Sequence, residues 1–397
     1  MTEPQKVQQS IDVSYREVFN SVEAVNIDHW NSVTRGANIY LSIDYLRSLE
    51  STMRDSIDFC YAISYNENDI PVLISVFQLV VFEDKRRKYA SHLGKIACHV
   101  KNKVLSPFTI NLMVCGNVFS DGENGFMWKG ISQEVAIEEV ALIAEELKLR
   151  DEVKEKSSIT LFKEFRPESV DATDELLKRS YRGFMADVNM ILKIHKDWVS
   201  LEDYTASMKT KFRTRFKSVL NKSKELEIKT LSEDQIEQNA DRINELFCNV
   251  LEKSDFGFGR LSAAAFKEFQ KSLQEKFCMR GFFYNEQLVG FSTSFKNDDI
   301  LEANYVGLDY SFNKKLSVYQ RILYDYVEQS LNFKSKELHL GRTAEMIKSS
   351  IGAIPMNMKL YARHRKSVPN LLLKPIIQSI SPSDFELRKP FKSDFNY

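Results

Sequence analysis

The stretches "FCYAISYNENDIPVLISVFQ", residues 59–78, and "FCMRGFFYNEQLVGFSTSF", residues 277–295, carry the same pattern. In both, Phe-Cys opens a run rich in aromatic and aliphatic residues, Tyr-Asn-Glu follows, and a second apolar run completes the stretch. Two such runs separated by a short polar turn are typical of a β-hairpin. The sequence therefore predicts one antiparallel hairpin in each half of the chain, 218 positions apart.

A helical pattern precedes each hairpin. The segments "LSIDYLRSLE" (residues 41–50) and "LSAAAFKEFQ" (residues 261–270) place their apolar residues at helical spacing, 220 positions apart. Each segment carries a serine, Ser42 or Ser262, where an N-cap side chain accepts an otherwise unpaired backbone N–H. The repeated order of helix and hairpin indicates a duplication.

Later strand-like segments match as well, "NMILKI" at residues 189–194 and "NMKLYA" at residues 357–362. We therefore predict two similar lobes, residues 20–195 and 200–365, followed by a C-terminal tail, residues 366–397, that packs on them. The predicted fold class is α/β (α+β), with each lobe a mixed, mostly antiparallel sheet flanked by helices. No G-x-G-x-x-G follows a strand, which argues against a dinucleotide-binding fold.

Composition and charge restrict the function. The 397 residues are 43% hydrophobic, enough for sizeable cores, and 55 basic residues balance 55 acidic ones, so no overall field favours nucleic acid or anionic lipid. Five cysteines without C-x-x-C indicate a reducing compartment, and the histidines show no metal-ligand spacing. The N-terminus lacks the apolar core of a secretory signal, and the apolar run at residues 72–82 is too short to span a bilayer. We therefore expect a cytosolic protein.

A basic helix is predicted by "SMKTKFRTRFKSVLNKSK", residues 207–224, which holds seven lysines and arginines and no acidic residue. Its apolar residues recur at helical spacing, and Lys209, Arg213 and Lys217 share one face. An arginine in such a position can bind a phosphate through two parallel N–H donors. The alternative is a solvated face whose cations bind nothing.

A second segment, "LHLGRTAEMIKSSIGAIP" at residues 338–355, indicates a strand, a short helix with Thr343 as its cap, and a turn at a glycine and a proline. An ordinary strand-helix-strand crossover would account for this pattern without a ligand. It would not explain why Arg342 and Lys348 flank one short helix.

Both segments resemble motifs of the FemA/FemB-like peptidyl and acyltransferases, which include FemAB-like peptidoglycan biosynthesis and recognition acyltransferases and have a tandem GCN5-related N-acyltransferase (GNAT) fold. The first is similar to the Lys-x-Arg-bearing helix that opens their second lobe. The second is similar to their strand that ends in Phe-Gly-Gly or Phe-Gly-Arg and is followed by a lysine shortly before Phe-Gly or Leu-Gly. Here these positions are Leu340-Gly341-Arg342, Lys348 and Ile351-Gly352.

The resemblance implies roles for particular residues. It implies that Arg213, with Lys209 and Lys217 on the same face, binds acceptor phosphates, and that Lys348 stabilises an oxyanion as the acyl carbonyl is attacked. Arg342 is a further candidate for substrate binding, with an ion pair, for example to Glu345, as the alternative.

The reaction also needs a proton acceptor for the attacking amine. Glu302 and Asp309 are candidates on or near the predicted strand "DILEANYVGLD", and Tyr305 between them is a candidate for orienting the substrate. The alternative for all three is a hydrogen-bonded core position.

The donor is left open by the sequence. Single-lobe acetyltransferases bind the coenzyme A pyrophosphate on a glycine-containing loop at a helix N-terminus, but residues 311–317, "SFNKKLS", lack a glycine. The first lobe has such a loop, "SDGENGFMWKG", with Gly122, Gly125 and Gly130, and a surface hairpin is the favoured alternative. We expect no permanently bound cofactor; acyl-CoA, an acyl carrier protein or a charged tRNA can serve as donor.

Three functions follow. The first is an N-acyltransferase that moves an acyl or aminoacyl group to an amine of a cell-envelope or lipid precursor, in the cytoplasm or at the inner face of the membrane. The second is a catalytically silent tandem-GNAT module that binds an envelope precursor or a protein. The third is RNA binding through the basic helix. No DNA partner is expected, and the tail offers a peripheral membrane contact as a minor alternative.

Overall fold

Thirteen strands form one sheet in the computed structural model, which describes residues 13–83, 109–253, 261–378 and 385–395. In chain order the strands are β1 (Tyr15–Phe19), β2 (Ile57–Tyr65), β3 (Pro71–Glu83), β4 (Thr109–Cys115), β5 (Phe126–Trp128), β6 (Ile159–Phe165), β7 (Arg182–Lys193), β8 (Glu227–Thr230), β9 (Phe277–Tyr284), β10 (Gln287–Asn297), β11 (Ile300–Leu308), β12 (Glu337–His339) and β13 (Ile354–His364). Ten of the twelve strand pairings are antiparallel.

Helices cover both faces of this sheet. Within the described residues they are α1 (Ile27–Thr34), α2 (Ile43–Met53), α3 (Gln133–Leu147), α4 (Asp151–Lys154), α5 (Val170–Thr173), α6 (Glu175–Lys178), α7 (Leu201–Ala206), α8 (Thr210–Lys222), α9 (Glu233–Gln238), α10 (Ala240–Leu251), α11 (Ala263–Leu273), α12 (Tyr310–Leu316), α13 (Val318–Asn332), α14 (Glu345–Ser349) and α15 (Ser367–Gln378). None of the described helices combines the length and the apolar composition needed to cross a membrane.

The two halves repeat one topology. Strands β1 to β4 form an antiparallel meander, and β6 then pairs in parallel with β4. In the same way β8 to β11 form an antiparallel meander, and β12 pairs in parallel with β11. The repeated hairpins are β2–β3 and β9–β10, as the sequence predicted. The predicted fold class, two similar α/β lobes with mixed, mostly antiparallel sheets flanked by helices, is therefore confirmed.

The closing strands of the two halves are exchanged. Strand β13 lies between β6 and β7, and β7 lies between β13 and β12, so each half contributes a strand to the sheet of the other. These are the strands that carry the matching segments at residues 189–194 and 357–362, and they pair with each other in antiparallel register, with Ile354 opposite Ile191. The sheet is continuous across both halves as a result. The lobe boundaries near residues 195 and 365 stay predictions.

The two repeated helices also meet. Helices α2 and α11 pack against each other, with the rings of Tyr45 and Phe269 stacked at 5.1 Å between centroids. Ser42 caps α2 as predicted, because its side chain accepts the Tyr45 N–H at 3.3 Å. Ser262 stands at the N-cap of α11, but its side chain makes no capping bond. The predicted hydrogen bond is therefore correct in one copy only.

Candidate functional site

Strands β11 and β12 are paired over three residue pairs only, and beyond the last pair they separate around a cavity of about 250 Å³. Glu302 and His339 form the last pair. Beyond it Leu340 and Gly341 continue along β7, bonded to both backbone groups of Met190, while β11 runs on to Leu308. The two unpaired ends diverge, and side chains from both halves line the cavity between them.

The cavity has an apolar wall and a charged wall. The apolar wall comes from α10 and α13, with Phe247, Val250, Leu251, Tyr319, Leu323 and Tyr326. The charged wall comes from both halves and contains Asp121, Glu302, His339, Arg342 and Lys348. An apolar surface facing a few convergent polar groups is the usual form of a small-molecule site.

Lys348 projects from α14 into this cavity and is only 5% exposed. Its Nζ donates to the carbonyl oxygens of Gly341 at 3.2 Å and Arg342 at 2.6 Å. Burial lowers the pKa of Lys348 to about 8, although the charges of Asp121 and Glu345 oppose this shift. The lysine therefore changes its charge close to physiological pH.

The loop that surrounds this ammonium group is tightly curved. Gly341, Thr343 and Ala344 have φ of +69°, +66° and +53°, a left-handed conformation that costs energy for the two non-glycine residues. Thr343 does not cap α14 as predicted, because Ala344 occupies the N-cap and no side chain provides a capping bond. The curvature turns the backbone carbonyls towards Lys348, which a regular helix start would not do.

Arg342 joins the two halves. Its Nε and Nη2 donate to Asp121 Oδ1 at 3.0 and 2.7 Å, and Nη2 also lies 2.8 Å from Glu164 Oε1. Burial alone would raise the pKa of Asp121, but the charges of Arg342 and Lys163 outweigh it and hold that pKa below its usual value. The ion pair that was the alternative for Arg342 thus forms with carboxylates of the first half.

The glycine-rich loop of the first half is held by a buried ion pair. Lys163 Nζ lies 2.9 Å from Glu164 Oε2 and donates to the Ser120 carbonyl, while the Gly122 N–H donates to Glu164 Oε2 at 2.9 Å. The loop is not the surface hairpin that was the favoured expectation, since residues 120–125 are buried or half-buried and residues 126–128 form strand β5 on β3. A carboxylate of the protein also occupies the Gly122 N–H that a phosphate would need.

Glu302 occupies the floor of the cavity. Its Oε2 accepts the Tyr40 hydroxyl at 2.8 Å and its Oε1 accepts Asn297 Nδ2 at 2.8 Å. Burial raises the pKa of Glu302, and the neighbouring His339 partly offsets this. His339 Nε2 in turn lies 2.8 Å from Glu337 Oε2. A buried carboxylate with a raised pKa is suited to accept a proton.

Two further candidates take structural positions. Tyr305 lines the cavity, but its hydroxyl donates to the Phe119 carbonyl at 2.6 Å and burial raises its pKa. Asp309 does not line the cavity; it accepts the Ser311 N–H at the start of α12 and pairs with Arg242 at 2.6 Å. The expectation that Asp309 accepts the proton is therefore not supported, while substrate orientation by Tyr305 stays a prediction.

The basic helix is present as α8, but it does not reach the cavity. Lys209, Arg213 and Lys217 are absent from the cavity lining; Lys209 and Lys217 are exposed and Arg213 is half-buried. The inner face of α8 packs on α13, where Phe216 meets Tyr324 at 4.8 Å between centroids. None of the three cations therefore shares the cavity lining with Lys348. Their substrate-binding role stays a prediction.

The donor region of the second half is also filled by the chain. Most of residues 311–317 belong to α12, and Asn313 Oδ1 accepts the Tyr319 N–H at 2.9 Å at the start of α13. The Tyr319 N–H is therefore already hydrogen-bonded within the protein and is not available to a phosphate. Among the described residues, no group of three or more His, Cys, Asp and Glu side chains is arranged to hold a metal ion.

Three residues that contact the predicted site residues were not considered from the sequence: Tyr40, Asp121 and Glu164. Asp121 lies in the glycine-rich loop, so its loop was noticed but its charge was not. Nothing local in the sequence shows that this aspartate meets Arg342, 221 positions later.

No protein-family model matches the chain, and no curated protein matches its sequence. Solved structures match its fold. The chain is similar to FemX, with 9% identity over 90% of this chain and 99% of that chain and a TM-score of 0.55. It is also similar to a tandem GNAT protein from the clavulanic acid biosynthesis pathway (8% identity, 88% of this chain, 98% of that chain, TM-score 0.49). A third is L-PGS from Bacillus licheniformis (11% identity, 83% and 96%, TM-score 0.47).

At these identities the similarity concerns the fold alone, and the likeness to FemX agrees with the repeated strand order described above. The chain thus has a fold similar to that of FemX, in agreement with the FemAB-like resemblance of the two sequence segments.

Proposed function

We propose that this protein is an N-acyltransferase whose reaction takes place in the cavity between β11 and β12. The observation that carries this is that a buried lysine, Lys348, and a buried carboxylate, Glu302, both line one cavity, together with apolar side chains of α10 and α13. An acyl group fits the apolar wall, and the reacting carbonyl and amine then face the charged groups.

The chemistry needs three things: held reactants, a proton acceptor and a stabilised oxyanion. The neutral amine attacks the carbonyl carbon of an ester or thioester, and the C–O or C–S bond to the donor breaks when the tetrahedral intermediate collapses. Glu302 takes the proton that the nitrogen loses. Lys348, while protonated, stabilises the negative oxygen. No covalent bond to the enzyme is required.

The donor is an acyl-CoA, an acyl carrier protein or a charged tRNA, and the acceptor is an amine of a cell-envelope or lipid precursor. We place the reaction in the cytoplasm, at the inner face of the membrane when the acceptor is lipid-linked. Support for coenzyme A is weakest, because Asn313 already occupies the Tyr319 N–H at the start of α13.

A catalytically silent binding module is the second candidate. It is favoured by the contacts of Lys348, whose Nζ already donates to two backbone carbonyls. A lysine held in this way can serve the loop alone.

Thermal unfolding in the presence of acyl-CoA thioesters and charged tRNAs would identify the donor, because a ligand that binds the native state raises the Tm. With that donor, Lys348→Ala is expected to lower kcat by about 100- to 1000-fold, as loss of an oxyanion donor does. Lys148→Ala is a matched control, since Lys148 is also buried but lies outside the cavity, paired with Glu145. Equal turnover in both variants, with both folded, would remove Lys348 from the site, and absence of turnover with every donor would leave the binding module as the better explanation.

A further inference from the structure

Residues 385–395 lie outside the helices and strands named above and form a segment that we call the strap. The strap is bonded to the residues just before the basic helix α8. Phe391 and Met208 form an isolated antiparallel β-bridge, and the Lys392 N–H donates to the Ser207 carbonyl at 3.0 Å. The strap therefore has a defined position against the start of α8.

Phe391 anchors the strap in the core of the second half. Its side chain is buried, and its ring lies 5.0 Å from that of Trp198 and 5.8 Å from that of Tyr204, between centroids. A Cβ on Gly352 would lie 2.2 Å from a ring carbon of Phe391, so the absence of a side chain there leaves room for the ring. Gly352 follows α14, the helix that carries Lys348. The strap is therefore packed against the chain segment that follows this helix.

Helix α14 has little stability of its own and depends on such contacts. It is five residues long and no side chain caps its start, and helices this short are unstable in isolation. The Arg388 N–H of the strap donates to Ser349 Oγ at 3.1 Å. Tyr204, which packs on the strap, donates its hydroxyl to the Ile351 carbonyl at 2.7 Å. Ser349 is the neighbour of Lys348, so the strap bonds α14 next to the buried lysine.

We propose that the strap is a positioning element of the reaction site, which keeps α14 where the Lys348 ammonium group is buried and bonded to the carbonyls of Gly341 and Arg342. Its importance for catalysis rests on the proposed function, whereas its effect on the burial of Lys348 does not. Of the residues described, none in the strap lines the cavity. The strap therefore acts through α14 and not by contact with a substrate.

Burial is the link between the strap and the chemistry of Lys348. Burial is the main cause of the lowered pKa of Lys348. Arg388, the strap residue that bonds Ser349, is itself paired with Glu386 at 2.9 Å. Displacement of the strap is therefore expected to admit water to the ammonium group and to raise its pKa. The other charged and titratable groups near Lys348 are not on the strap: Asp121, Glu302, His339, Arg342 and Glu345.

Labelling of the full chain with acetic anhydride tests the proposal without a substrate, because this reagent acetylates accessible neutral amines. Phe391→Ala is expected to be acetylated at Lys348 at least about tenfold faster than the wild type, since loss of a buried phenylalanine shifts a local opening equilibrium by that factor or more. Mass spectrometry of the peptides measures the rates, with Lys336 as the reference because its side chain is 80% exposed.

Phe59→Ala is the matched control. Phe59 is as buried as Phe391 but belongs to a separate hydrophobic cluster, so Lys348 should react in this variant as in the wild type. Ser349→Ala is a milder second variant that removes the acceptor of the Arg388 N–H. It is expected to be acetylated at Lys348 about 2- to 10-fold faster, the effect of one lost hydrogen bond.

The pH profile gives a readout that a general loss of stability would not move. With an active donor, the alkaline limb of kcat is expected to lie at higher pH in Phe391→Ala than in Phe59→Ala. The reason is that a hydrated Lys348 ammonium group has a higher pKa than a buried one and keeps its proton over a wider range.

Unchanged acetylation of Lys348 in Phe391→Ala, or in Ser349→Ala where only that variant folds, would overturn the proposal. Equal acceleration in Phe59→Ala would also overturn it, because general loosening of the protein would then explain the labelling. Faster labelling in Phe391→Ala without turnover from any donor would leave the positioning role intact and remove the proposed function. Unchanged labelling in a protein that needs Lys348 for turnover would do the reverse.

Discussion

The two halves share a topology, yet they differ in what occupies the space beyond their paired parallel strands. In the first half, β4 and β6 pair from Leu112 to Cys115, and the space beyond is taken by the glycine-rich loop and the buried Lys163–Glu164 pair. In the second half, β11 and β12 pair over three positions only and a cavity opens. In the first half this space is therefore filled by the protein, whereas in the second half it is a candidate site. We call the glycine-rich loop and the Lys163–Glu164 pair that fill it the brace. The brace contacts Arg342 through the ion pair with Glu164, and Arg342 lines the cavity.

The largest expected effect is the loss of kcat in Glu302→Gln, which tests whether the second half holds the site. The variant keeps the shape of the side chain but cannot accept the amine proton, so we expect kcat to fall by about 100-fold or more. As a comparison in the first half, Glu164→Gln removes the charge of a buried carboxylate outside the cavity lining and leaves the proton acceptor in place. If both variants lowered kcat equally, the site would not be specific to the second half.

The pH profile sharpens the same assignment. The raised pKa of Glu302 means that the carboxylate is lost, and activity falls, as the pH drops through that raised value. The pKa of Lys348 is lowered to about 8, so its charge is lost and activity falls as the pH rises past about 8. We therefore expect a bell-shaped profile of kcat whose acid limb disappears in Glu302→Gln. An alkaline limb unchanged in Lys348→Met would contradict the role given to the lysine.

Glu164→Gln is expected to have the next largest effect, on stability. Glu164 is buried and pairs with both Lys163 and Arg342, so removing its charge leaves two cations in a poorly solvated place. We expect a loss of about 3 kcal/mol in the free energy of unfolding, measured with urea.

Glu23→Gln is the control for Glu164→Gln, because Glu23 pairs with Arg47 in an exposed position. We expect a change there of less than about 1 kcal/mol. Similar losses in the two variants would mean that the brace is not a buried link between the halves.

The capping serines give a smaller and more direct comparison of the copies. Ser42→Ala removes a hydrogen bond to the Tyr45 N–H and is expected to cost about 1 kcal/mol. Ser262 makes no such bond, so Ser262→Ala is expected to cost only a few tenths of a kcal/mol. Urea unfolding of both variants measures the difference, and equal costs would contradict the structural distinction.

Arg213→Ala is expected to have the smallest effect. Arg213 does not line the cavity, so neither kcat nor the KM of the acceptor should change appreciably. A raised KM with unchanged kcat would instead support the phosphate-binding role that the sequence resemblance implies.

Much of the fold was predictable because its signals are local. Apolar runs around a short polar turn predicted the hairpins at residues 59–78 and 277–295, and helical spacing predicted the helix within residues 207–224. The structure contains the two hairpins and the helix. Thr343 failed as a cap because the chain there is bent into left-handed conformations to follow β7 and enclose Lys348. Such bending is set by neighbours far along the chain.

The sequence by itself predicted that the chain is duplicated and that each copy is a mostly antiparallel α/β unit, and it proposed Lys348 and Glu302 as residues to test. The tertiary structure alone decided that β7 and β13 exchange places, that Asp121 and Glu164 are the partners of Arg342, and that Arg213 does not line the cavity. The reason is physical. Periodicity reports which face of an element is buried, whereas the partner that buries it depends on contacts between residues hundreds of positions apart.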